Sequence, residues 1–104
     1  MFKLNFLPTA KKDMDDIIYY ISNIIKNKTA AHKLANDFIN GANSILEFPY
    51  ASPIYKTTKR LRQDFRIFKI KNFLMFYTIN EKDKEVTIVR VLYQKMDVNK
   101  RLKG

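Results

Sequence analysis

Six side chains between positions 66 and 95 could act together on a phosphate: Arg66, Lys69, Lys71, Arg90, Tyr93 and Lys95. Fixed cations stabilise the negative charge that develops on phosphoryl oxygens, and a tyrosine can assist proton transfer. The chemistry such a set points to is metal-independent RNA cleavage, with the substrate's 2′-OH or a side chain as nucleophile. In that reading Lys69 and Lys71 position phosphates, Lys95 and Arg66 stabilise the transition state, and Tyr93 moves the proton. Arg90, Arg60, Arg62, Lys100 and Arg101 extend the basic set as nucleic-acid contacts. None of these spacings is diagnostic by itself.

The rest of the sequence removes other chemistries. Without cysteine there is no thiolate nucleophile, no disulfide and no cysteine-ligated zinc, which fits a reducing compartment. One histidine and two glycines leave no Gly-rich phosphate loop. Carboxylates are sparse in the basic half, so a two-metal phosphodiester site is not expected, and neither is any cofactor. No apolar run is long enough to span a bilayer, and no charged-then-apolar leader opens the chain. A cytoplasmic protein without membrane contact is expected.

Charge is distributed unevenly. Residues 1–50 carry six basic and five acidic side chains, whereas residues 51–104 carry fourteen and five, within a formal total of +10. A half-chain at +9 points to a face that meets a polyanion, either nucleic acid or an acidic protein.

Those side chains need elements to hold them. Phe2, Leu4 and Phe6 alternate with polar residues as in a strand with one buried face. From Ala10 the apolar positions change to a helical period through Met14, Ile17, Ile18 and Ile21, with Asp13, Asp15 and Asp16 in the first turns. After a short polar link, with Thr29 as the expected N-cap, Ala31, Leu34, Phe38, Ala42 and Ile45 trace a second helix that ends near Pro49. Gly41 inside it costs about 1 kcal/mol relative to alanine unless close packing uses the missing side chain. A proline-punctuated loop leads to FRIFKI, FLMFYTI and, after NEKDKE, VTIVRVLY, which read as three strands.

The order β-α-α-β-β-β predicts one α+β domain over residues 1–104: a helical hairpin on one face of a mainly antiparallel four-stranded sheet, then a short C-terminal tail or helix. Alternation sends Phe73, Met75 and Tyr77 to the helices, and Ile67, Lys69, Lys71, Leu74, Phe76 and Thr78 to an open face. If Val89 and Val91 face the helices, Arg90 joins the lysines on that open face. The competing expectation is a structural ion pair of Arg90 with Glu85 or Asp64.

The stretches FLPTAKKDM, AAHKLANDFINGANSILEFPYASPIY, FKIKNFLMFYTI and VTIVRVLYQKMD, taken in this order, resemble the RelE/ParE superfamily of type II toxin-antitoxin toxins over nearly the whole chain. KNFLMFY and RVLYQKMD are the most specific parts. The resemblance implies a growth-inhibiting toxin held inactive by an acidic antitoxin, with a toxin–antitoxin hetero-oligomer as the resting form. RelE-like members cut mRNA on the ribosome without metal, while ParE-like members poison DNA gyrase and need no RNase site. By the same resemblance Lys69 matches a catalytic lysine and Lys71 a neighbouring basic position. Leu74 stands where the pattern has a catalytic arginine, and Lys95 where a second arginine is usual. No tyrosine follows Tyr93. The strongly basic half weighs towards a ribosome-dependent endoribonuclease acting on mRNA. The alternatives are a gyrase inhibitor, and a degenerate toxin that keeps only antitoxin binding.

Overall fold

The computed structural model describes residues 1–56 and 63–95. Strand β1 (Lys3–Phe6) leads through Leu7 into α1 (Pro8–Tyr19), which closes in a π-helical turn, Tyr20–Ile24. Proline is tolerated as the first helical residue because its missing N–H would have no intrahelical partner there. The helix therefore starts two residues before the apolar periodicity does. Lys26, in a left-handed conformation (φ 62°), breaks the chain direction before α2 (Lys28–Glu47). The N-cap of α2 is Asn27 rather than the expected Thr29: its Oδ1 accepts the Ala30 N–H at 3.0 Å.

Strands β2 (Arg66–Ile70), β3 (Phe73–Asn80) and β4 (Glu85–Tyr93) complete a sheet of order β1-β4-β3-β2. Two pairings are antiparallel, and β1 runs parallel to β4. This is the expected α+β architecture, two helices on a four-stranded mixed sheet. The β2–β3 turn puts Lys71 in the left-handed region (φ 55°), a conformation glycine usually supplies, and Lys84 (φ 53°) does the same before β4. Among the described residues no helix is long and apolar enough to cross a membrane.

The main core lies between helices and sheet, where Ala10, Leu34, Phe38, Ala42 and Ile45 meet Ile70, Met75, Tyr77, Val86, Ile88 and Val91. Gly41 is the point of closest approach: a Cβ there would lie 2.6 Å from Ile70 Cδ1 and 3.1 Å from Phe68 Cε2. Close packing does use the missing side chain. The Tyr77 hydroxyl, buried in this core, donates to the Pro49 carbonyl at 2.6 Å and pins the exit of α2 to the sheet.

The opposite face is not open in the way the alternation suggested. Phe65, Phe76, Val89 and Leu92 form a second buried cluster, with Ile67, Leu74 and Tyr55 packed against it. Tyr55, from the loop after α2, stands edge-on to Phe76 at 5.6 Å. That loop is tied to β2 by Tyr55 N–H to the Phe65 carbonyl (2.7 Å) and by Ile67 N–H to the Pro53 carbonyl (3.0 Å). The expected exposure of Phe76 thus fails because the proline-rich loop folds back and supplies a lid of its own.

Strand β4 carries the second correction. Phe76 pairs with Arg90 but Tyr77 pairs with Ile88, so Val89 is an extra residue in a bulge. Alternation resets there: Ile88 and Val91 face the helices, while Val89 and Leu92 face the far cluster.

Candidate functional site

Arg90 does not join the lysines. Its Nε and Nη2 donate to Asp13 Oδ2 and Oδ1, each at 2.8 Å, and Asp13 Oδ2 also accepts the Val91 N–H at 2.9 Å. Thr9, one turn earlier on α1, donates its hydroxyl to the Val89 carbonyl at 2.9 Å. Strand β1 ends at Phe6, beside Ile88, so the outer side of β4 loses its partner strand there. Helix α1 supplies two side chains, four residues apart on one face, to satisfy the backbone groups left over. Hydrogen bonding to Asp13 raises the Arg90 pKa further above its already high range. The guanidinium is a permanently charged fastening between α1 and the bulge, with Asp13 as its partner instead of Glu85 or Asp64.

Arg66 is held at the start of β2. Its guanidinium donates to the carbonyls of Ser52 (2.7 Å) and Tyr50 (3.3 Å) and lies 5.3 Å from the centre of the Tyr50 ring. These contacts orient it towards the loop after α2. Both bonds come from Nη1, so they occupy two of the five guanidinium N–H donors.

Lys69 and Tyr93 fall on opposite sides of the sheet. Lys69 pairs with Leu74, which pairs with Leu92, and this row belongs to the far face. One step along, Ile70, Phe73 and Tyr93 form the next row, on the helix side. The Tyr93 ring lies 5.7 Å from that of Phe73, at the mouth of a hollow of about 520 Å³ lined by Asp16, Ile17, Tyr20 and Ile21. Side chains of adjacent rows in a sheet diverge, so a single phosphate cannot bridge them.

What the fold does gather is one end of the sheet. Lys69 and Lys71 line a groove of about 300 Å³ at the α2–β2 seam, with Asp37, Asn40, Gly41, Ser44, Phe68 and Ile70. Lys95 is exposed just beyond β4, where Gln94 N–H donates to the Asn72 carbonyl at 2.9 Å, so it neighbours the Lys71 turn. Arg60, Arg62, Lys100 and Arg101 lie outside the described residues. Asp13 and Asp37 are the site-forming residues that sequence reasoning passed over. Asp13 stood out only as a charge in a first helical turn.

Comparison with known proteins decides the family. Residues 4–98 match the model of the ParE toxin of type II toxin-antitoxin system, parDE. The chain belongs to the ParE toxin family. This ParE-family chain is accordingly the toxin component of a type II toxin-antitoxin module. Its fold is similar to that of a chain from the chromosomal ParDE system of P. aeruginosa (TM-score 0.68, 18% identity, 89% of this chain and 96% of that one). It is also similar to a chain of the archaeal RelE-RelB complex from Pyrococcus horikoshii OT3 (TM-score 0.60, 12% identity, 90% and 96%). A third similar structure is the intact E. coli RelBE toxin-antitoxin complex (TM-score 0.54, 16% identity, 92% and 100%). No curated protein matches the ParE-family chain significantly in sequence.

Proposed function

We propose that this ParE-family toxin arrests growth in the cytoplasm by docking on a protein target, with DNA gyrase as that target, and does not act by cutting mRNA. The observation that carries this reading is the divergence of Lys69 and Tyr93 onto opposite faces of the sheet. An RNase built from the expected parts requires the phosphate-binding lysine and the proton-transferring tyrosine to reach one phosphodiester, because acid–base catalysis requires hydrogen-bonding distance to the reacting group. Arg66 and Arg90 are engaged elsewhere, and Leu74 brings an apolar side chain to the position of the family arginine.

In this reading the cations at the turn end of the sheet, Lys69, Lys71 and Lys95, serve recognition. They steer the toxin towards acidic surfaces of the target and of an acidic antitoxin, and they favour a complex that forms near DNA. No cofactor is needed for such a mechanism.

The decisive experiment incubates the purified toxin with gyrase and plasmid, and in parallel with ribosomes translating a defined mRNA. Loss of supercoiling with trapped double-strand breaks, and intact mRNA by toeprinting, is the expected result. New mRNA ends at ribosomal positions, with gyrase unaffected, would establish the ribonuclease instead. An antitoxin-binding chain that leaves both gyrase and mRNA untouched would mark a degenerate toxin.

A further inference from the structure

The hollow at Tyr93 is walled by aromatic rings and edged by a carboxylate. Phe73 and Tyr93 are partners across β3 and β4, and their rings, 5.7 Å apart and inclined at 58°, form adjoining walls rather than a stack. Phe73 also packs edge-on with Phe38 at 5.9 Å, which fixes its ring before any ligand arrives. Helix α1 adds Asp16, Ile17, Tyr20 and Ile21, which share one helical face at spacings of three and four residues. Tyr20 opens the π-helical turn, where its carbonyl accepts the Ile25 N–H at 2.9 Å, and such turns recur at functional sites.

The charge of this hollow runs against that of the chain. In a protein of formal charge +10, no lysine or arginine lines it among the described residues, and Asp16 brings a negative charge to its edge. Asp16 Oδ2 accepts from Lys12 at 2.7 Å, but the two side chains are 64% and 76% exposed, so the pair contributes little and can yield to another cation. Aromatic faces carry the negative part of the ring quadrupole and attract a cation within about 6 Å of their centres.

We propose that this hollow binds a small organic cation with a methylated, quaternary ammonium head. The head lies among the rings of Tyr20, Phe73 and Tyr93, with Ile17 and Ile21 against its methyl groups and the Asp16 carboxylate balancing its charge. Methylation is the selected feature because a primary ammonium has three N–H donors, which an apolar lining serves worse than water does. The volume of about 520 Å³ leaves room for a short substituent beyond the head. None of the lysines assigned to target recognition lines the hollow, so the site is independent of which target the toxin inhibits.

The test is calorimetric titration of the whole protein at low salt with three probes. They are choline, ethanolamine with its primary head, and dimethylbutanol, in which a neutral carbon replaces the choline nitrogen. Choline should bind one site with roughly millimolar affinity, about tenfold tighter than either analogue, and its N-methyl protons should move upfield in NMR as they enter the ring currents. Tyr20→Leu and Tyr93→Leu keep apolar bulk but lose the ring, and each should weaken choline about fivefold or more, as should Asp16→Asn. Should Tyr93→Leu fail to fold by circular dichroism, Tyr20→Leu, at an exposed helical position, and Asp16→Asn decide. Equal binding of choline and dimethylbutanol would reduce the hollow to an apolar surface, and equal binding of ethanolamine would remove the preference for methylation. Either result, or choline affinity unchanged in both Tyr20→Leu and Asp16→Asn, would overturn the site.

Discussion

Asp13 on α1 and Arg90 on β4, separated by 77 residues in sequence, share two hydrogen bonds of 2.8 Å, and the same carboxylate caps the Val91 N–H. The pair is mostly withdrawn from solvent, with side chains 14% and 25% exposed. Its charges are weakly screened there, and each depends on the other. The arginine that looks in sequence like a nucleic-acid contact is thereby part of the scaffold.

Removing one partner should expose that dependence. Asp13→Ala takes two hydrogen bonds from Arg90 and the acceptor from the Val91 N–H, and should cost about 2–4 kcal/mol in urea denaturation. Arg90→Met in the Asp13→Ala background should recover part of the loss, because an apolar chain of similar length needs no counter-charge. A double variant less stable than Asp13→Ala alone would show that Arg90 stabilises the fold by other contacts.

Gly41→Ala tests the helix–sheet approach. The new methyl gains up to about 1 kcal/mol of helix propensity but meets Ile70 Cδ1 at 2.6 Å, and overpacking of this kind costs about 1–3 kcal/mol. Net destabilisation is expected, and Ile70→Val, which deletes the colliding methyl, should relieve it. Thermal melts of the single and double variants provide the measurement.

Tyr77→Phe removes a hydroxyl that is buried against the Pro49 carbonyl. The carbonyl then has no donor, and a loss of about 1–2 kcal/mol in chemical denaturation is the expected outcome. A neutral result would place water at the Pro49 carbonyl in the variant.

On function, the docking reading separates residues that the ribonuclease reading joins. Lys71→Glu combined with Lys95→Glu should weaken gyrase inhibition about tenfold or more at low salt, since opposed charges at an interface slow association and destabilise the complex. Tyr93→Phe, which keeps the ring beside Phe73 and deletes the phenol, should leave inhibition within about twofold of wild type. Growth arrest from an inducible promoter gives the same ranking in cells. Loss of arrest in Tyr93→Phe with unchanged folding would restore a chemical role for the phenol.

Periodicity made the helical hairpin, the strand order and most of the main core legible, because Leu34, Phe38, Ala42 and Ile45 on α2, and Met75 and Tyr77 on β3, obey the spacing of their elements. The family was legible as well, from the order of KNFLMFY and RVLYQKMD. Illegible features were those fixed by contacts between distant segments. Val89 enters β4 as a bulge, and a strand apolar on both faces gives no sign of where its alternation resets. Tyr55 covers Phe76 from a loop without period, so the far face looked bare. Asp37 reads as one more polar position on a helix until β2 is laid alongside it.

The irregularity at Val89 also sets what kinds of change this strand can absorb. Pleating Val89 regularly into the ladder, without the bulge, would carry Val91 to the far face and Leu92 towards the helices; the extra residue is what keeps Val91 opposite Met75 and Leu92 opposite Leu74. Loss of Val89 alone should accordingly be borne, because Arg90–Tyr93 keep their partners on β3, whereas loss of a paired residue such as Val91 should send the side chains after it to the wrong face.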